Sequence, residues 1–167
     1  MDRPLSIEAL AERLPAKARL IGVDIGTKTI GLGMSDVERR IASPLLTIRR
    51  TKFASDADAL AAEIRKYDVF ALVVGMPVAL DGADAPRAQA ARAFARNFSA
   101  RESLPIMFWD ERFSTAVVER DLIAQDVSRA KRAEVIDKMA AAYILQGALD
   151  ALNFLTNRTI GAAKAPT

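Results

Sequence analysis

Four carboxylates, Asp24, Asp110, Glu111 and Asp137, stand where an acid is expensive to keep. Asp24 closes the apolar run that begins at Leu20 and is followed by the turn "IGTKT". Asp110 and Glu111 close a second apolar run, "LPIMFW" (104–109). Asp137 lies in "VIDKMAAAYILQGALD", with Ala140, Ala141 and Ile144 at +3, +4 and +7. That spacing sets it on the border of a helical apolar side formed by Ile136, Met139, Ala140, Tyr143 and Ile144. An unpaired carboxylate costs several kcal/mol to bury, and clustered ones also repel each other. Divalent cations relieve both penalties. Two of them about 4 Å apart can hold a scissile phosphate, generate hydroxide from water and stabilise the leaving oxygen.

Each acid also has an ordinary explanation. Asp24 can close its turn through an Asx hydrogen bond, and Asp110 or Glu111 can pair with Arg112. Asp137 can be a solvated acid in the first turn of a helix beginning near Val135, where the helix dipole favours an anion. The case for a site rests on their convergence.

Composition narrows the chemistry further. The 167 residues include no cysteine and no histidine. Thiol nucleophiles, Ser–His triads, histidine bases and Cys/His zinc sites are excluded by inventory. A metal would have only oxygen ligands, which suits Mg2+ or Mn2+. The net charge of +3 is too small to identify a partner by itself. No apolar run approaches the roughly 20 residues of a membrane helix, and the acidic N-terminus is unlike a secretion signal. Both point to a cytoplasmic protein.

The elements that must position these acids can be read from hydrophobic spacing. Residues 1–18 form a short amphipathic helical extension outside the core, and the domain proper runs from 19 to 155. Strands 19–24, 29–35 and 41–48 form an antiparallel meander. A helix starts at Phe53, "VFALVV" (69–74) is a strand covered on both faces, and an alanine-rich helix runs from Pro86 to Ala100. The strand 104–109 follows, then a helix from Ser114 to Gln125 and a last helix from Val135 to Leu155. Residues 156–167 lack periodicity and read as a frayed tail. The order βββαβαβαα gives one α/β domain, a mixed five-stranded sheet with helices on both faces. Helical crossovers make the later strands parallel, so the strand tips bearing Asp24 and Asp110–Glu111 share one edge.

Five segments in this order, "GVDIGTKTIGLGMSD", "IASPLLTI", "VVGMPVALDGADAPRAQAARAFA", "WDERFSTAVVE" and "RAEVIDKMAAAYILQGALD", resemble the YqgF family. These are small bacterial RNase H-like proteins, described as Holliday-junction resolvases and as nucleases maturing the 5′ end of pre-16S ribosomal RNA. The likeness runs from Leu20 to Ala151. It implies an RNase H-like fold, a hydrolase acting on phosphodiesters, and two Mg2+ or Mn2+ ions. It also implies that Asp24, Glu111 and Asp137 are the catalytic, metal-binding acids, with Asp110 as their neighbour. "GMP" replaces the commoner "GLP", and the N-terminal extension is a second departure; neither touches the acids.

Basic residues then acquire positions. Lys28, Arg87, Arg112, Arg129, Lys131 and Arg132 lie in turns or helix starts near the proposed edge, and Arg92 with Arg96 continues one face of the alanine-rich helix. Together they form a candidate phosphate-binding rim for structured RNA or branched DNA. Arg39, Arg40, Arg49, Arg50 and Lys52 read as ordinary surface. Two rivals belong to other classes. "DIGTKT" also resembles the phosphate turn of sugar kinases and actin-like ATPases, but those bind nucleotide between two such domains. A non-catalytic nucleic-acid-binding module on the same fold is the other. Residue types alone do not separate ribosomal RNA from junction DNA, for which a homodimer would suit a two-fold substrate.

Overall fold

Alternation along the first strand decides which helices cover which side of the sheet. In the computed structural model, residues 3–77, 85–110 and 128–163 are described. Within them β1 (Arg19–Ile25), β2 (Thr29–Ser35) and β3 (Ala42–Arg49) form the antiparallel meander. β4 (Val69–Met76) lies parallel to β1, and β5 (Ile106–Asp110) lies parallel to β4. The sheet order is β3-β2-β1-β4-β5. The expected mixed five-stranded sheet is therefore present, with the tips of β1, β4 and β5 at one edge.

Ile21, Val23 and Ile25 of β1 face one side, with Ile30 and Leu32 of β2 and Leu72 and Val74 of β4. That side is covered by α2 (Phe53–Tyr67) and α3 (Ala85–Ser99). Phe94 of α3 meets Phe53 edge-on at 5.6 Å and stacks with Phe98 at 5.8 Å, both favourable ring arrangements. Asp68 ends α2 in the left-handed region, at φ 51°. On the other side Leu20, Ala71, Val73 and Met107 meet Ile144, Leu145, Ala148 and Leu149. These last belong to α4 (Arg129–Ala163), whose 35 residues span about 52 Å. Among the described residues no helix is long and apolar enough to cross a membrane.

Three expectations need adjustment. The N-terminal segment is not outside the core. α1 (Ile7–Arg13) is capped by the Ser6 hydroxyl, and its Leu10 is fully buried against the α4 layer. Just before it, Leu5 donates its N–H to the Ile106 carbonyl at 2.8 Å and bridges Met107 in parallel. This arm closes part of the outer edge of β5, which a short apolar pattern could not announce. The last helix also runs beyond both expected ends. It begins at Arg129, with Arg132 N–H donating to the Ser128 carbonyl at 2.7 Å. It continues to Ala163, and within this extension Thr156 and Thr159 donate their hydroxyls to the carbonyls of Leu152 and Leu155. Residues 156–163 are thus helical where a tail without regular structure was expected. The expected helix 114–125 lies outside the described residues.

Candidate metal-binding cleft

The cleft is built on missing side chains. Gly22 of β1 pairs with Gly33 of β2, and Asp24 pairs with Gly31. These positions share the face that α4 covers, and α4 rests on them backbone to backbone. A Cβ added at Gly22 would lie 2.5 Å from the Ala141 carbonyl oxygen, and one at Gly33 would lie 2.7 Å from Ala142 N. One at Gly31 would fall on the Asp137 carbonyl and stand 2.8 Å from Lys138 N. At these three glycines no side chain fits between helix and hairpin. Asp137 is therefore seated directly beside the Asp24–Gly31 pair by main-chain contact.

Asp24 is 6% exposed and Asp137 is half-buried. Both line a cleft of about 300 Å3 with Gly26, Thr27, Lys28, Thr29 and Arg87. The Arg87 guanidinium, from the first turn of α3, lies 3.6 Å from the Asp24 carboxylate. The Thr29 hydroxyl donates to the Asp137 carboxylate. Burial pushes the Asp137 carboxyl above the usual carboxylate range, opposed by the Thr29 hydrogen bond and the charge of Arg87. That carboxylate is short of positive charge in the protein alone, and the Arg87 guanidinium stands where cationic charge is favoured. Two carboxylates and a threonine hydroxyl make an all-oxygen donor set of the kind hard divalent cations take. By this test the cleft fits a Mg2+ or Mn2+ ion.

The turn beneath the cleft is held from behind. Gly26 N–H donates to the Thr29 carbonyl at 2.9 Å, and Arg50 N–H donates to the Lys28 carbonyl at 2.9 Å. The Arg50 guanidinium donates to the Gly26 carbonyl at 2.8 Å and lies 3.8 Å from Asp56. Asp56 is itself buried and accepts the Thr51 N–H at 3.1 Å.

Of the residues singled out in the sequence, Asp24, Asp137, Lys28 and Arg87 come together. Asp110 ends β5 at the same sheet edge, is exposed and does not line the cleft. Strand alternation puts it on the face of Phe108, which packs toward α2 and α3, opposite the face of Asp24. Glu111 and Arg112 lie outside the described residues, among which no group of three acids gathers. Arg129 opens α4, followed by exposed Lys131 and half-buried Arg132. Arg92 and Arg96 line a different cavity, on the β5 flank of α3. Because α4 starts at Arg129, Asp137 is eight residues into the helix. The first-turn dipole expected for it does not apply, and Thr29 and Arg87 act in its place. Thr29 and Arg50 escaped the sequence reading. Thr29 was findable, since alternation puts it on the face of Gly31 and Gly33. Arg50 was not, because nothing local marks its reach to Gly26.

Comparison with known proteins follows the same geometry. The family model named RuvX and described as Holliday junction resolvase matches residues 18–151. A relative from Beijerinckia indica, named "Putative pre-16S rRNA nuclease", is 60% identical over 148 residues, 89% of this chain and 90% of the relative. A protein of the same name from Rhizobium meliloti is 51% identical over 162 residues, 97% of this chain and 98% of the relative. Among solved structures, Thermus thermophilus RuvC in complex with a Holliday junction substrate aligns with a TM-score of 0.53 at 16% identity. It covers 80% of this chain and 94% of RuvC. At that identity the likeness concerns the fold, which is RNase H-like.

Proposed function

The chain belongs to the RuvX (YqgF) family, and we propose that it is a divalent-metal-dependent nuclease whose substrate is the 5′ end of pre-16S ribosomal RNA. The observation that carries the reading is the meeting of Asp24 and Asp137 in one cleft, 108 residues after Thr29 in the case of the acid it binds. Two carboxylates brought together at a buried sheet edge are costly without a cation. The choice of ribosomal RNA is supported by the names of relatives that are 51% to 60% identical.

In this reading the chain is a cytoplasmic nuclease whose domain includes α1 and the whole of α4, and Asp24 and Asp137 hold Mg2+ or Mn2+ with Glu111 as the third acid. A bound cation there would act as a Lewis acid toward a phosphoryl oxygen and lower the pKa of water. The protein's own residues have separate tasks. Thr29 orients the Asp137 carboxylate. Arg87 neutralises Asp24 until a cation replaces it, and is then available for a phosphate oxygen. Lys28, at the rim, supplies a second phosphate contact. With no histidine in the chain, proton transfer at neutral pH falls to water and carboxylates.

A second reading, Holliday-junction resolution by a homodimer, draws on the description of the matching family model. Cleavage of matched pre-16S RNA and junction DNA panels with Mg2+ or Mn2+ separates the two. Preferential RNA cutting is expected. Cutting confined to four-way junctions would transfer the chain to the second reading, and no cutting of either panel by folded, metal-loaded protein would remove the nuclease assignment.

A further inference from the structure

On the far flank of α3 from the cleft lies a cavity of about 580 Å3 between that helix, the start of β5 and the N-terminal arm. Four arginines line it: Arg3 of the arm, Arg13 of α1, and Arg92 and Arg96 of α3. Three separate parts of the chain thus bring cationic residues to the lining of one concavity. Among the described residues none of the four makes an ion pair or hydrogen bond. Among the described residues the one lining carboxylate, Glu102, already lies 3.5 Å from Arg65, outside the cavity. The floor is apolar, with Leu5, Leu104, Ile106 and Phe108 beneath the charges.

We propose that this cavity is a second nucleic-acid site, taking a single-stranded flank of the substrate that is cut in the cleft. The ligand class follows from the two halves of the lining. Arginine's planar fork matches phosphate oxygens and its face stacks on bases. A bare phosphate has no use for the apolar floor, whereas a nucleotide brings a phosphate and a flat body together. Continuity with the cleft favours a strand over a free nucleotide. Arg87 heads α3 at the cleft, and Arg92 and Arg96 lie about 7.5 and 13.5 Å further along the same helix and about 140° and 180° around it, so a strand joining the two sites would wrap α3. The proposal rests on the nuclease reading for the cleft but makes a separate claim about where the strand continues.

The test compares one structured RNA with and without a single-stranded tail, by fluorescence anisotropy and by cleavage kinetics. Wild-type protein should bind the tailed RNA more tightly. In Arg92→Glu/Arg96→Glu that advantage should vanish, with KM for tailed RNA raised about tenfold, kcat unchanged, and tailless RNA handled as before. The milder Arg92→Gln/Arg96→Gln should lose two phosphate contacts, flattening the slope of log K against log salt by about 1.4. A tail advantage that survives in both variants overturns the proposal, as does equal binding of tailed and tailless RNA by wild type. Competition by mononucleotide or polyglutamate as effective as that by oligonucleotide also overturns it, in favour of a free nucleotide or an acidic peptide. Loss of tail binding in the variants, alongside a wild type that cuts nothing, would uphold this site while the nuclease reading fails.

Discussion

Replacing Gly31 by alanine should damage the cleft and the fold together. Its Cβ would overlap the Asp137 carbonyl and stand 2.8 Å from Lys138 N. Restoring ordinary contact of about 3.5 Å with that nitrogen alone requires about 0.7 Å of movement, and the carbonyl requires more. The obstacle is main chain on both sides, so no rotamer change can absorb it. Overpacking of this kind costs typically 1–3 kcal/mol, and the upper half of that range is expected here. For a domain of this length each kcal/mol lowers Tm by roughly 2–4 °C, so Gly31→Ala should melt about 4–12 °C below wild type. The displaced part of α4 carries Asp137, and a misplacement near 1 Å costs on the order of 100-fold in rate. Differential scanning fluorimetry and cleavage at saturating Mg2+ give both numbers. Gly161→Ala is the control, since nothing lies within 4 Å of its added Cβ and alanine is the better helix former by up to about 1 kcal/mol. A Gly31→Ala protein that melts and cleaves like wild type would refute the idea that backbone contact seats Asp137.

Three further outcomes are expected. Mg2+ or Mn2+ should stabilise wild type by about 2.7 kcal/mol at 100 times Kd, and Asp24→Asn/Asp137→Asn should abolish the shift in thermal melts; a persisting shift would put the ion elsewhere. Thr29→Val removes the hydroxyl that orients Asp137 and should weaken metal affinity about 10–100-fold, measured by calorimetry, without loss of the fold. In chelator, the raised Asp137 carboxyl means the folded chain holds its proton more tightly than the unfolded one. Its contribution to stability is therefore present below the ordinary carboxylate pKa and lost as pH rises through the raised value. Urea titrations across that acidic range should show the loss in wild type and a flatter profile in Asp137→Asn.

The sheet and the first acid were legible because strand signals are local. An apolar run ending in Asp24, followed by a tight turn and a glycine-alternating run, permits few arrangements. Asp137 was legible by its helical neighbours, but its stabilising partners were not. The helix start depends on Ser128 and on packing against β2 and β3, which periodicity from Val135 onward does not register. Arg92 and Arg96 were grouped with the cleft from their nearness in sequence to the loop before α3. Helical rotation turns them toward β5 instead, a fact of geometry across a crossover. Burial of Leu10 likewise depends on α4, which begins more than a hundred residues downstream.

The glycine seat also sets an order of assembly. The β1–β2 hairpin is complete early in synthesis, but the acid that Thr29 binds is made 108 residues later. At about 5–20 residues per second, a nascent chain carries Asp24 for roughly 5–20 s before Asp137 exists. During that interval the stripe formed by Gly22, Gly31 and Gly33 is bare backbone with no helix to cover it. If Asp24 and Asp137 hold the cation as proposed, its affinity, and any cutting that depends on it, should appear only when the final helix docks, leaving the emerging chain inert until its own synthesis is nearly finished.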